Sequence, residues 1–116
     1  TEPVQTLELH DATLEAVKKG MYGYTQPGGS VAAYFQNCVV TAGAKTGTSE
    51  LGGNQTENGV FVCFAPYDDP EIAVAIVIEH ATWGSNLATT GVDILNAYFT
   101  ADETGSAVTG ENQLLP

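Results

Sequence analysis

Two runs, Val60 to Tyr67 and Ile72 to Glu79, constrain the fold of this chain more than any other feature. Each is strand-sized and rich in Val, Ile and Phe, the residues that suit a pleated surface. Between them, Pro66-Tyr67-Asp68-Asp69-Pro70 carries turn chemistry. Two apolar strands joined by so short a turn predict an antiparallel hairpin. Their near-continuous apolarity predicts that both faces are covered. A third strand is expected upstream, from Val39 to about Ser49, joined to the hairpin by the polar, glycine-rich stretch 50–58.

Helices are expected on either side of this meander. Leu14, Val17 and Met21 recur at helical spacing, so Asp11 to Met21 reads as a helix, with Asp11 as its cap. Gly20 and Gly23 should end it. Gln26-Pro27-Gly28-Gly29 is a turn, after which Ser30 can cap a short helix reaching Phe35. A last helix is expected from Asn86 to Phe99, capped by Ser85 or Asn86. Its stripe is Leu87, Gly91, Leu95 and Tyr98, flanked by Ile94 and Phe99. This helix should pack on one face of the sheet and the N-terminal helices on the other. The fold class is therefore α+β: a three-strand antiparallel meander, helices before it and a closing helix on it. Residues 1–99 form the expected domain. The stretch 100–116 is acidic and lacks a hydrophobic period, so poor order is expected there.

Charge excludes whole classes of partner. The 116 residues hold 14 acids against three lysines and no arginine, a net charge of -11. Phosphate backbones and anionic membranes are bound by clustered cations, and only Lys18 and Lys19 are adjacent. No apolar run approaches the roughly 18 residues of a membrane span. Cys38 and Cys63 fit neither a disulfide framework nor a zinc site, which needs about four Cys or His ligands at short spacing. Cys63 lies in an apolar strand and is expected to be a free buried thiol. No metal or organic cofactor is implied. The chain opens Thr1-Glu2-Pro3 without an initiator Met, as a piece of a longer protein would.

The chemistry lies in Ala42-Gly43-Ala44-Lys45-Thr46-Gly47-Thr48-Ser49. A phosphate loop would need glycine immediately before the lysine and a helix after it; Ala44 precedes Lys45 and no helix follows. The Lys-Thr-Gly triplet of the penicillin-recognising serine enzymes fits better. After it come Phe61-Val62-Cys63-Phe64-Ala65-Pro66, the apolar strand ending in Glu79, and the closing helix. Before it come Gly20-Met21 and Gly29-Ser30-Val31-Ala32. In this order, residues 5–99 resemble the C-terminal part of the transpeptidase domain of a class B penicillin-binding protein.

The resemblance implies a triplet strand edging an active-site cleft, with a D-Ala-D-Ala end lying alongside. Gly47 would let a substrate backbone approach. Lys45 would set a positive charge near the substrate carboxylate and the proton-transfer network. The hydroxyls of Thr46 and Thr48 would donate to that carboxylate, and the Thr48 backbone N–H would be one of two oxyanion donors. The implied partners are peptidoglycan stem peptides and β-lactams. The implied location is the extracytoplasmic face of a bacterial membrane, reached by an anchor outside this segment. The chain departs from the family pattern in holding no Ser-x-x-Lys and no Ser-x-Asn. It lacks the nucleophile, so alone it should be inactive. The missing N-terminal half should pair with strand 72–79, as a separate chain, or the strand should self-associate. A β-lactam sensor, a D,D-carboxypeptidase, a serine β-lactamase and a non-catalytic adhesion module remain alternatives.

The other polar residues have plainer readings. His80 and Glu79 end a strand, Asp68-Asp69 is a solvated turn, and Trp83 is a packing or cleft-rim residue. Asn54-Gln55-Thr56 matches a glycosylation acceptor that a bacterial relative would rarely use.

Overall fold

The computed structural model describes residues 2–50, 52–53, 57–80 and 84–101. Helix α1 (Asp11–Thr25) and the short α2 (Ala32–Phe35) precede strands β1 (Gly43–Ser49), β2 (Asn58–Ala65) and β3 (Ile72–Ile78). A 3-10 turn, Gly84–Asn86, leads into α3 (Leu87–Ala101). The sheet order is β1-β2-β3, antiparallel throughout. The expected meander and hairpin are both present.

Register sorts the side chains into two faces. Thr46, Phe61 and Ile76 stand side by side, as do Ala44, Cys63 and Val74. This face carries the core: Ala44, Phe61, Cys63 and Ala65 from the sheet, Val31 and Phe35 from the α2 region, and Leu87, Ala88, Val92 and Leu95 from α3. At Gly91 a Cβ would lie 2.4 Å from the Phe61 ring, so only glycine lets α3 come this close. Of the expected stripe, Leu87, Gly91 and Leu95 are buried, whereas Tyr98 is exposed.

The opposite face corrects the expectation of cover on both sides. There α1 reaches only the β1 side, where a Cβ on Gly43 would touch Phe64 and Met21. Toward β3 the face is open. Met21, Val62, Phe64, Ala73 and Ala75 line an apolar recess of about 270 Å³, and Val77 is 63% exposed. Leu14 and Val17, expected to bury against the sheet, are exposed; Met21, Tyr24 and Thr25, in the second half of α1, make its contacts with β1 and the lead-in to it.

Several boundaries move for physical reasons. Helix α1 runs through Gly20 and Gly23 to Thr25, against local propensity. The Thr25 hydroxyl donates to the Tyr22 and Ala42 carbonyls, at 2.9 and 2.8 Å, tying the helix end to the β1 lead-in. Asp11 is the first helical residue and not its cap; His10 holds that position without a side-chain bond. Val31, not Ser30, precedes α2, also without a side-chain cap. Strand β1 begins at Gly43 and not Val39, because residues 37–39 bond to α3. Asn96 donates to the Asn37 carbonyl (3.1 Å) and accepts from the Val39 N–H (2.9 Å). Strand β2 spans Asn58–Ala65, not Val60 to Tyr67; Pro66 has no N–H to give, and Tyr67 N–H goes to the Thr41 carbonyl at 2.9 Å. Strand β3 stops at Ile78, since His80 turns to φ 58 and its N–H goes to Asn58 Oδ1. Helix α3 takes in Thr100 and Ala101, assigned above to the tail. Residues 102–116, like Trp83 and the Asn54-Gln55-Thr56 acceptor, lie outside the described residues.

Candidate active site

The Lys-Thr-Gly triplet occupies the free edge of the sheet. Strand β1 pairs only with β2, so its other side carries no strand among the described residues. The burial gradient along β1 is steep: Gly43 and Ala44 are buried, Thr46 is half-buried, and Lys45, Gly47, Thr48 and Ser49 are exposed. The strand is thus rooted in the core at one end and presented to solvent at the other.

One side chain from α1 meets the triplet. Tyr24 Oη lies 2.6 Å from Thr46 Oγ1. Lys45 Nζ stands 5.1 Å from the centroid of the same Tyr24 ring, within cation–π range. Lys45 also donates to the Thr46 carbonyl at 2.7 Å. The register puts Lys45 opposite Val62 and Thr46 opposite Phe61, on opposite faces; Lys45 Nζ, bent back to the Thr46 carbonyl, and the Thr46 hydroxyl nevertheless both meet Tyr24. The hydrogen bond with Thr46 holds the Tyr24 phenol below its ordinary value; desolvation opposes this, and Ser30 and the Lys45 charge add smaller contributions. Tyr24 is fixed in turn by the Val31 N–H on its carbonyl and by the Thr25 anchor beside it.

Under the strand, the turn before α3 makes a close contact. A Cβ on Gly84 would fall 2.5 Å from the Gly47 carbonyl oxygen and 3.0 Å from that of Val60. The floor of the triplet therefore depends on Gly84. Gly47 itself has only the Val60 side chain within ordinary contact of a Cβ, so space remains around it.

Sequence reasoning named Lys45, Thr46, Gly47 and Thr48, and the fold sets all four in order on one exposed edge. It missed Tyr24 and Gly84. The signal for Tyr24 was weak: an aromatic residue in the last turn of a helix whose end had been placed too early. Glu79 and His80 follow β3, two strands across the sheet from β1, and the His80 N–H is bonded to Asn58 of β2. Cys38 and Cys63 are both free thiols. Burial pushes the Cys63 thiol up to about 11 and raises that of Cys38. No group of metal-ligating side chains occurs among the described residues.

Residues 1–98 match the family model for the penicillin binding protein transpeptidase domain. The chain belongs to the penicillin-binding protein transpeptidase family. Among curated members, it is 30% identical over 110 residues to peptidoglycan D,D-transpeptidase MrdA of Escherichia coli (strain K12), covering 82% of this chain and 17% of that protein. It is 32% identical over 100 residues to penicillin-binding protein 2B of Streptococcus pneumoniae serotype 2 (strain D39 / NCTC 7466), covering 79% of this chain and 15% of that protein. The transpeptidase fold agrees. PBP2 of Pseudomonas aeruginosa superposes with a TM-score of 0.72 at 27% identity, over 90% of this chain and 23% of that one. This member of the family thus spans about a sixth of the length of the curated relatives it matches.

Proposed function

We propose that this chain is the C-terminal part of a peptidoglycan D,D-transpeptidase and supplies the carboxylate-binding and oxyanion edge of its active site. In that enzyme a serine attacks the penultimate D-Ala carbonyl and expels the last D-Ala. The acyl group then passes to an amine on a neighbouring stem peptide. β-Lactams enter as mimics of the D-Ala-D-Ala end. The 116 residues contain no Ser-x-x-Lys, so the serine comes from the other part of the domain and this segment alone does not acylate.

The observation that carries this reading is the exposed β1 edge beyond Thr46. Lys45 is the one lysine of this chain on a strand; Lys18 and Lys19 are on α1. A carboxylate arriving at the triplet therefore meets a cation in a strongly acidic segment. Backbone groups of an edge strand alternate between the ladder and the open side. The Thr46 carbonyl accepts from Lys45 Nζ, which supports its facing the open side. By alternation the Thr48 N–H, two residues on, would face the same way, as the proposed oxyanion donor requires. Gly47 leaves the approach clear.

The same reading assigns the outer edge of β3 to a strand from the missing half of the domain, or to a second copy when that half is absent. It places the site on the extracytoplasmic face of a bacterial membrane. No helix among the described residues is long and apolar enough to cross one, so the anchor belongs to another segment. The test is acylation of the intact enzyme by a fluorescent penicillin. Lys45→Ala should slow labelling by about 100-fold, the scale of losing one preorganised electrostatic group. Unchanged labelling would remove the triplet from the mechanism.

A further inference from the structure

We propose that Tyr24 is a positioning residue for the triplet: its hydroxyl donates to Thr46 Oγ1 and its ring face holds the Lys45 ammonium, leaving the Thr46 proton free to point at an incoming carboxylate. The proposal rests on the transpeptidase reading of this edge.

Three observations support it. The Tyr24–Thr46 contact is short, 2.6 Å, and joins residues 22 positions apart. A phenol is far more acidic than an aliphatic alcohol, so when the two share one hydrogen bond the phenol is the better donor. Thr46 has one proton; with Tyr24 donating, that proton is not consumed and its direction is set by the bond already made. The same ring lies 5.1 Å from Lys45 Nζ. An exposed lysine otherwise samples many rotamers. Here its carbonyl contact at Thr46 and its ring contact at Tyr24 both lie on the triplet side of the strand.

Tyr24 also bounds the site. Standing against both Lys45 Nζ and Thr46 Oγ1, it closes the β1 edge at their level. The open length of edge is then Gly47 to Ser49, all exposed. A ligand backbone lying along β1 must stop at Tyr24, with its terminal carboxylate against Thr46 and Lys45.

The test compares two ligands in the intact enzyme: a fluorescent penicillin with its free carboxylate, and the same penicillin with that group esterified. Tyr24→Phe keeps the ring and removes only the hydroxyl. It should slow acylation by the free acid about fivefold, the effect of one ordinary hydrogen bond. With the ester, Tyr24→Phe and the unaltered enzyme should react at the same rate, because no carboxylate is present to recognise. Thr46→Val should give a similar loss with the acid, and Tyr24→Phe with Thr46→Val should lose no more than either alone. An equal loss with acid and ester would overturn the proposal, since that is what a structural role gives. A full rate for Tyr24→Phe with the acid, alongside slow Lys45→Ala and Thr46→Val enzymes, would overturn it and leave the transpeptidase reading standing. Full rates for Lys45→Ala and Thr46→Val would instead overturn that reading, and Tyr24 with it.

Discussion

The two outer edges of this three-stranded sheet differ in every respect that matters. On β1 the free side carries Lys45, Thr46, Gly47 and Thr48, mostly exposed and polar, with one aromatic side chain braced against it. On β3 it belongs to Ile72–Ile78, seven residues of Ile, Val and Ala with no polar group. Among the described residues neither edge pairs with a further strand. Only the first has side chains that protect it from nonspecific strand pairing while inviting a charged ligand. The second has none of the charges, prolines or bulges with which proteins defend an open edge. The edge proposed to take a small ligand and the edge proposed to take another strand thus lie on opposite sides of β2, about 10 Å apart.

The largest predicted difference comes from one substitution on each edge. Thr48→Pro removes the proposed oxyanion donor and should slow penicillin acylation of the intact enzyme by 100-fold or more, roughly 3 kcal/mol of barrier. Val77→Lys on the other edge should leave that rate unchanged. A rate loss for both variants would show that the edges are not separate. Next in size is Gly84→Ala. Its methyl would meet the Gly47 carbonyl, so unfolding by urea should show a loss of about 1–3 kcal/mol, with slower acylation from a displaced triplet floor. In the isolated 116-residue chain, Val77→Lys should weaken self-association about tenfold by sedimentation, whereas Lys45→Ala should not. If the isolated 116-residue chain without substitution is itself monomeric, the claim that β3 seeks a strand ends. The smallest effect lies on the shared central strand. Burial raises the Cys63 thiol to about 11 from its ordinary value of 9, so the folded state retains a proton that the unfolded chain releases. The Cys63 contribution to stability should be constant below pH 9 and be lost as pH rises from about 9 toward 11. Cys63 should also resist alkylation at pH 8 until the protein unfolds.

Much of this contrast was legible in the chain. The apolar runs announced the hairpin, and the triplet stood out because it pairs a lysine with hydroxyls and glycine on a strand in a segment poor in cations. What stayed hidden depends on long-range contact. Continuous apolarity in Ile72–Ile78 looked like a strand covered on both faces, but periodicity does not reveal whether the covering element is present. Helix α1 passes two glycines because Thr25 bonds to Ala42, a contact 17 residues away in sequence. Tyr24 became visible only once that helix end was in place. Gly84 looked like loop punctuation; its role follows from the carbonyls it lies against.

The Asn96 side chain carries a consequence for how the molecule is made. One amide near the end of the chain satisfies both Asn37 and Val39, 59 and 57 residues upstream. During synthesis the approach to the triplet strand has no such partner until helix α3 has left the ribosome. Fastening of the segment before β1 is in this sense a late event, and a nascent chain stopped short of residue 96 would carry the complete triplet, and the strand that sets its register, without this clasp.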